Sequence, residues 1–146
     1  MGKVGLLTPL DGNEMKQMMN LIHSLNDSRD IEVTSDDPLL YVPIDGRQFS
    51  FNEVGGCGAG IGNLAICHDG EVFPCRRLPI FVGNTVNDSL IDIINSEKMD
   101  CFYDRESFLE GACVECESRQ ICGGCRAAAY AYTDNHLSQD PQCWKL

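Results

Sequence analysis

The sequence predicts a small cysteine-rich α+β domain, a β-hairpin and short helices gathered around metal, preceded by one longer helix. Three observations carry that expectation. Four cysteines crowd into the run C-V-E-C-E-S-R-Q-I-C-G-G-C, as Cys113, Cys116, Cys122 and Cys125. Asp69-Gly70 stands between two apolar runs, the strongest short hairpin signal a sequence offers. Residues 11–26 place Met15, Met18, Met19, Ile22 and Leu25 on one helical face.

The first fifty residues contain no cysteine. Asp11 with Glu14 three positions on reads as a capping pair that opens the helix. The methionine stripe reads as its core face. A short strand is expected over Ile31-Glu32-Val33-Thr34, followed by an extended D-P-L-L-Y-V-P segment. Next, Leu64-Ala65-Ile66-Cys67 and Glu71-Val72-Phe73-Pro74-Cys75 flank His68-Asp69-Gly70. With Asp69-Gly70 as a two-residue turn, His68 opposes Glu71, Cys67 opposes Val72 and Leu64 opposes Cys75. Faces alternate with a period of two, so this register turns Cys67 away from the face Cys75 uses. Pro74 marks the second strand as an edge or an early end. Asn87-Asp88-Ser89 cap a short helix carrying Leu90, Ile91, Ile93 and Ile94. Cys101 falls in another short helix beside Met99 and Phe102, as a small buried thiol. The run Arg126-Ala127-Ala128-Ala129-Tyr130-Ala131-Tyr132 favours a last helix. Its start, beside Gly123 and Gly124, would aim backbone N–H groups at bound metal.

A CxxC loop turns two thiolates toward one metal centre, and two such loops this close together point to metal. The chain has nine cysteines and only three histidines. None of His23, His68 and His136 lies at zinc-finger spacing from the CxxC loops, and all three read as solvated or core side chains. An almost purely thiolate ligand set suits an iron–sulfur cluster or zinc.

With 146 residues, one domain with a modest core is expected. The longest apolar run is short of a membrane span, and the start shows no basic-plus-apolar signal segment. Nine cysteines then favour metal in a reducing, cytoplasmic setting over disulfides. A net charge of −11 argues against nucleic acid or an anionic membrane as partner, because both need a cationic face. Against that background Arg76 and Arg77 follow Cys75, and Arg126 follows Cys125. Cations beside ligating thiolates favour the deprotonated form and raise a cluster's reduction potential; the alternative is that these are ordinary surface arginines.

The cysteine pattern resembles a known family. Cys57 is followed by Gly70 and Cys75, then by Cys113, Cys116, Cys122 and Cys125, and last by Cys143. This is similar to the SPASM domain, the auxiliary-cluster domain at the C-terminal end of many radical S-adenosylmethionine enzymes. C-G-A-G at Cys57, D-G-E-V-F-P-C in the hairpin, V-G-N-T, C-G-G-C-R-A-A-A-Y and D-P-Q-C fit as well. The resemblance covers roughly residues 55–146. Two residues separate Cys122 from Cys125 where many members have three, a form that resembles the quinone-cofactor and haem-maturing branch. The CxxxCxxC loop that binds S-adenosylmethionine's cluster in that superfamily is not in the chain, so as given it would not start radical chemistry alone.

The resemblance implies two [4Fe–4S] clusters, with Cys57, Cys75 and Cys125 on the first and Cys113, Cys116, Cys122 and Cys143 on the second. The first is one ligand short. Either Cys67 swings in against its predicted face, or the fourth iron is open to water, substrate or an external ligand; the open iron is the favoured choice. The resemblance also implies a preceding (β/α) barrel, with residues 1–50 as its helix–strand remnant and linker and residues 51–146 as the cluster domain. S-adenosylmethionine would bind only through that barrel, supplied by the same full-length chain or a partner. The expected function is electron transfer or substrate binding in a maturase that acts on a peptide or a small cofactor precursor of tetrapyrrole type, served by an electron donor. A zinc-binding structural module and a stand-alone ferredoxin-like carrier are the alternatives.

Overall fold

A computed structural model of the protein describes residues 8–28, 32–44 and 56–145. Helix α1 spans Gly12–Ser28. Its start is the expected reciprocal cap: Glu14 N–H donates to Asp11 Oδ1 at 2.9 Å and Asp11 N–H to Glu14 Oε2 at 3.0 Å. Two donors that a helix start leaves without partners are thereby satisfied. Met15 and Met19 are buried with Leu39, Leu40, Val42 and Ile44, and Met18 and Ile22 pack against them. Cys122, Cys143 and Trp144 from the far end of the chain complete this first core.

Two local expectations fail nearby. Residues 32–34 form no strand, and Ile31 lies outside the described residues. The Asn26 side chain occupies both backbone groups of Val33, Nδ2 donating to its carbonyl at 2.8 Å and Oδ1 accepting its N–H at 2.6 Å. A side-chain amide thus takes the place of a neighbouring strand. The D-P-L-L-Y-V-P segment is not extended throughout, because Pro38–Tyr41 wind into a 3-10 turn. Asp37 Oδ1 accepts the Leu39 N–H at 2.9 Å, and Pro38 sets the backbone for a first helical position. The boundary expected between residues 50 and 51 lies outside the described residues.

Strands β1 (Ala65–Ile66), β2 (Glu71–Phe73) and β3 (Gly83–Asn84) form an antiparallel sheet in the order β1-β2-β3. The hairpin exists, but its register is one residue away from the expected one: Ala65 pairs with Phe73 and Ile66 with Val72. The Cys67 N–H donates to the Glu71 carbonyl at 2.8 Å, leaving a three-residue loop of His68, Asp69 and Gly70. A two-residue type I′ turn needs positive φ at both Asp69 and Gly70. Only Gly70 has it, at +85°. Its N–H closes an ordinary turn onto the Cys67 carbonyl at 3.0 Å. One residue of slip exchanges the faces. Cys67 therefore shares a face with Phe73 and Cys75, which overturns the expectation that it points away from Cys75.

Helices α2 (Leu90–Ile94), α3 (Glu97–Tyr103), α4 (Arg105–Phe108) and α5 (Arg126–Thr133) follow. Ser89 caps α2 as expected, its Oγ accepting the Asp92 N–H at 3.1 Å. The second core joins sheet to helices through Ala59, Val72, Leu78, Val82, Ile93, Met99 and Phe102, with Cys57, Cys75 and Ala127 packed on it. The fold is thus a mixed helical and antiparallel-sheet structure with two cores. Cys122 belongs to the first core and Cys143 to its margin, while Cys57, Cys75 and Cys101 lie at the margin of the second. Among the described residues no helix is long and apolar enough to cross a membrane.

Candidate metal centre

Three of the seven singled-out cysteines come together from distant segments. The Cys57 N–H donates to the Cys122 carbonyl at 3.2 Å, and Arg105 Nη2 donates to the Cys57 carbonyl at 2.6 Å. Cys75 ends the hairpin. Its carbonyl accepts the Leu78 N–H at 3.0 Å, so Arg76 and Arg77 form the corner of a tight turn beside its thiol. Cys125 is the residue before α5 and closes the group. All three thiols line one cavity of about 630 Å³, together with Asp36, Asn63, Arg76 and Arg77.

The other four line a separate space. Cys113 ends the short 3-10 turn Gly111–Cys113, and the Cys116 N–H folds back to the Cys113 carbonyl at 3.3 Å. Cys113, Cys116 and Cys143 line a cavity of about 350 Å³. Cys122 joins the same three around a small adjoining void. Gly123 and Gly124, at φ +61° and +58°, let the chain double back so that the Gly124 N–H donates to Cys122 Sγ at 3.2 Å.

Asp140 ties the two groups together. It is 1% exposed; its Oδ2 accepts the Cys125 N–H at 2.7 Å and its carbonyl accepts the Cys143 N–H at 3.1 Å. Neither Asp140 nor Arg105 was singled out from the sequence as a site residue. For Asp140 a signal was present in D-P-Q-C, since Asp-Pro ahead of a cysteine is a turn that can pin it. For Arg105 there was none.

All nine cysteines are free. Burial pushes the thiols of Cys113, Cys125 and Cys143 up, against the effect of backbone N–H donors from Asp140, Ala128 and Lys145. Cys122 is pushed up to about 12 by burial, which the Gly124 N–H only partly offsets. As bare thiolates these groups would be costly, and a bound cation centre would remove that cost.

The cationic side chains fit the same conclusion. Arg77's pKa is raised, because Cys125, Cys75 and Asp37 outweigh the opposing effect of burial. Arg105 Nε and Arg126 Nε and Nη2 are buried with no hydrogen-bond partner. Unpartnered buried donors on cations, next to thiols, call for an anionic acceptor. An iron–sulfur cluster bound by thiolates is such a group. Among the described residues, no three His, Cys, Asp or Glu side chains converge closely enough to hold a single metal ion.

The remaining candidates lie apart. Cys67 is exposed and lines an adjoining apolar cavity of about 710 Å³ with Phe73, Leu78 and Tyr130. Cys75 stands on the wall between that cavity and the first group. Cys101 is only partly buried, and its Sγ lies 3.6 Å from His136 Nε2, so it is less apolar than expected. His136 stacks on Phe102, and His23 is buried on α1.

The family model for SPASM, described as an iron–sulfur cluster-binding domain, matches residues 57–126. Over 89 residues the chain is 39% identical to the AdoMet-dependent heme synthase of Methanosarcina barkeri. It is 38% identical to that of Nitratidesulfovibrio vulgaris and 36% to that of Oleidesulfovibrio alaskensis, each over 89 residues. The aligned stretch covers 60% of this chain and 25%, 24% and 23% of those proteins in turn. The chain thus spans about a quarter of the length of the curated relatives it matches.

Proposed function

We propose that this chain, whose residues 57–126 match the SPASM model of iron–sulfur cluster-binding domains, holds two [4Fe–4S] clusters as the auxiliary part of a radical S-adenosylmethionine maturase. The division of the thiols carries the reading: Cys57, Cys75 and Cys125 line one cavity, while Cys113, Cys116, Cys122 and Cys143 surround another. The first set would hold one cluster and the second set the other.

When bound, such clusters supply one-electron transfer and, where an iron lacks a protein thiolate, an open coordination position. The chain's own residues divide those roles. Around the first group only three thiols face a wide cavity, and Arg76 and Arg77 bring positive charge to it. That arrangement leaves a position for substrate or an external ligand and favours an anionic group such as a carboxylate. Around the second group four thiols suffice, and the Gly124 N–H donates to one of them. This is the arrangement of an electron-transfer site, with its potential tuned by hydrogen bonds to sulfur.

The similarity to AdoMet-dependent heme synthases supports a substrate of tetrapyrrole type over a peptide. S-adenosylmethionine and the radical chemistry belong to a barrel supplied by a longer chain or a partner, with residues 1–50 as the barrel's end and linker. An electron donor completes the set of partners. Anaerobic reconstitution followed by iron, sulfide and zinc counts tests the reading. About eight irons and eight sulfides per chain are expected. A colourless product with one or two zinc ions and no labile sulfide would replace it with the zinc module.

A further inference from the structure

Arg126 is the largest fully buried side chain among the described residues, at 1% exposure. In a chain of net charge −11 a buried guanidinium has no shortage of surface carboxylates to pair with, yet it sits inside. Its Nη1 donates to the carbonyls of His136 and Ser138, both at 2.7 Å. Its Nε and Nη2 have no partner. A purely structural residue, tying the loop after α5 to the start of that helix, would need only Nη1. Leaving two donors of a buried cation unpaired is unfavourable unless an anion meets them.

Its position explains which anions these are. Arg126 follows Cys125 of the first group, and its Nη2 lies beside Gly124, which lines the void around the four thiols of the second. Gly124 makes room for it: a Cβ there would lie 2.8 Å from Arg126 Nη2. Asp140, the nearby carboxylate, is engaged with the N–H groups of Cys125 and Gln142. Arg105 adds a second cation on the Cys57 side and so works against burying Arg126, not for it.

Resting on the two-cluster reading, we propose that Arg126 is a shared counter-charge: one buried cation, placed between the two thiol groups, that raises the reduction potentials of both clusters together. A buried positive charge stabilises the reduced, more negative state of each centre and is screened little by salt. The test is an EPR-monitored redox titration of the anaerobically reconstituted chain, with iron counted in every sample. In Arg126→Gln both midpoint potentials should move to more negative values, and in Arg126→Lys both should stay nearer the parent. Loss of both clusters in Arg126→Gln with both kept in Arg126→Lys would support the same role. A shift of one potential or neither, at parent iron content, would overturn it. So would loss of iron from Arg126→Lys, since that variant keeps the charge. Fewer than two clusters in the unsubstituted chain would remove the two-cluster reading and this proposal with it, and is seen before any variant is compared.

Discussion

The first thiol group is assembled over a long range and the second mostly from one loop. Cys57, Cys75 and Cys125 arrive from the segment bonded to the Cys122 carbonyl, the end of a hairpin and the start of α5, and they border a cavity of about 630 Å³. Cys113, Cys116 and Cys122 arrive on consecutive turns, and only Cys143 comes from elsewhere. The two groups also lean on different cores. Cys57 and Cys75 pack against the sheet and α3, whereas Cys122 and Cys143 pack against α1 and the 3-10 turn. A site with four thiols and a site with three thiols and a larger cavity suit different work. In this reading the first meets substrate and the second passes electrons.

The largest expected effect separates the two groups by iron and by core. Cys116→Ser should remove about half the iron, because three remaining ligands hold a cluster poorly. Cys116 itself is not a core residue, so loss of packing at the substituted side chain is a small part of the result. Amide hydrogen exchange in α1 should then speed up, since Cys122 and Cys143 belong to its core. Cys75→Ser should remove the other half and speed exchange in β1–β3 instead. Faster exchange in the same elements for both variants would show that the two groups do not support separate cores.

The smallest expected effect is at Cys67. It is exposed and lines the neighbouring cavity, so Cys67→Ser should leave iron content unchanged and alter stability by no more than about 0.5 kcal/mol. The two measurements are iron per chain and the urea midpoint. Loss of about four irons would make Cys67 the first group's fourth ligand and erase the difference in ligand number between the groups.

This contrast also marks what could be read in the chain without its structure. The Asp11–Glu14 cap, the Ser89 cap and the start of α5 were legible, because each depends on residues a few positions apart. So was the crowding of Cys113, Cys116, Cys122 and Cys125. The hairpin was legible but its register was not. Asp-Gly serves both a two-residue turn and a three-residue loop, and the choice is made by Asp69 keeping a negative φ while the sheet continues to β3. Cys67 changes face with that choice. The strand expected near Val33 was lost to Asn26, seven residues away, a partner that no periodicity announces. Arg105 was missed as a site residue for the same reason, and Asp140 despite the turn signal in D-P-Q-C. Arg105 holds the Cys57 carbonyl and Asp140 holds the Cys125 N–H, and both contacts join segments far apart in the chain.

Whether the three-thiol centre has an open coordination position that the four-thiol centre lacks is decided by one spectroscopic comparison. Cys116→Ser should retain only the centre on Cys57, Cys75 and Cys125, and Cys75→Ser only the centre on the four remaining thiols. Both proteins, reduced without oxygen, would be titrated with cyanide as an external ligand and followed by EPR. A spectrum that changes in Cys116→Ser and stays fixed in Cys75→Ser is the predicted result. A spectrum that changes only in Cys75→Ser, or in neither, would contradict it.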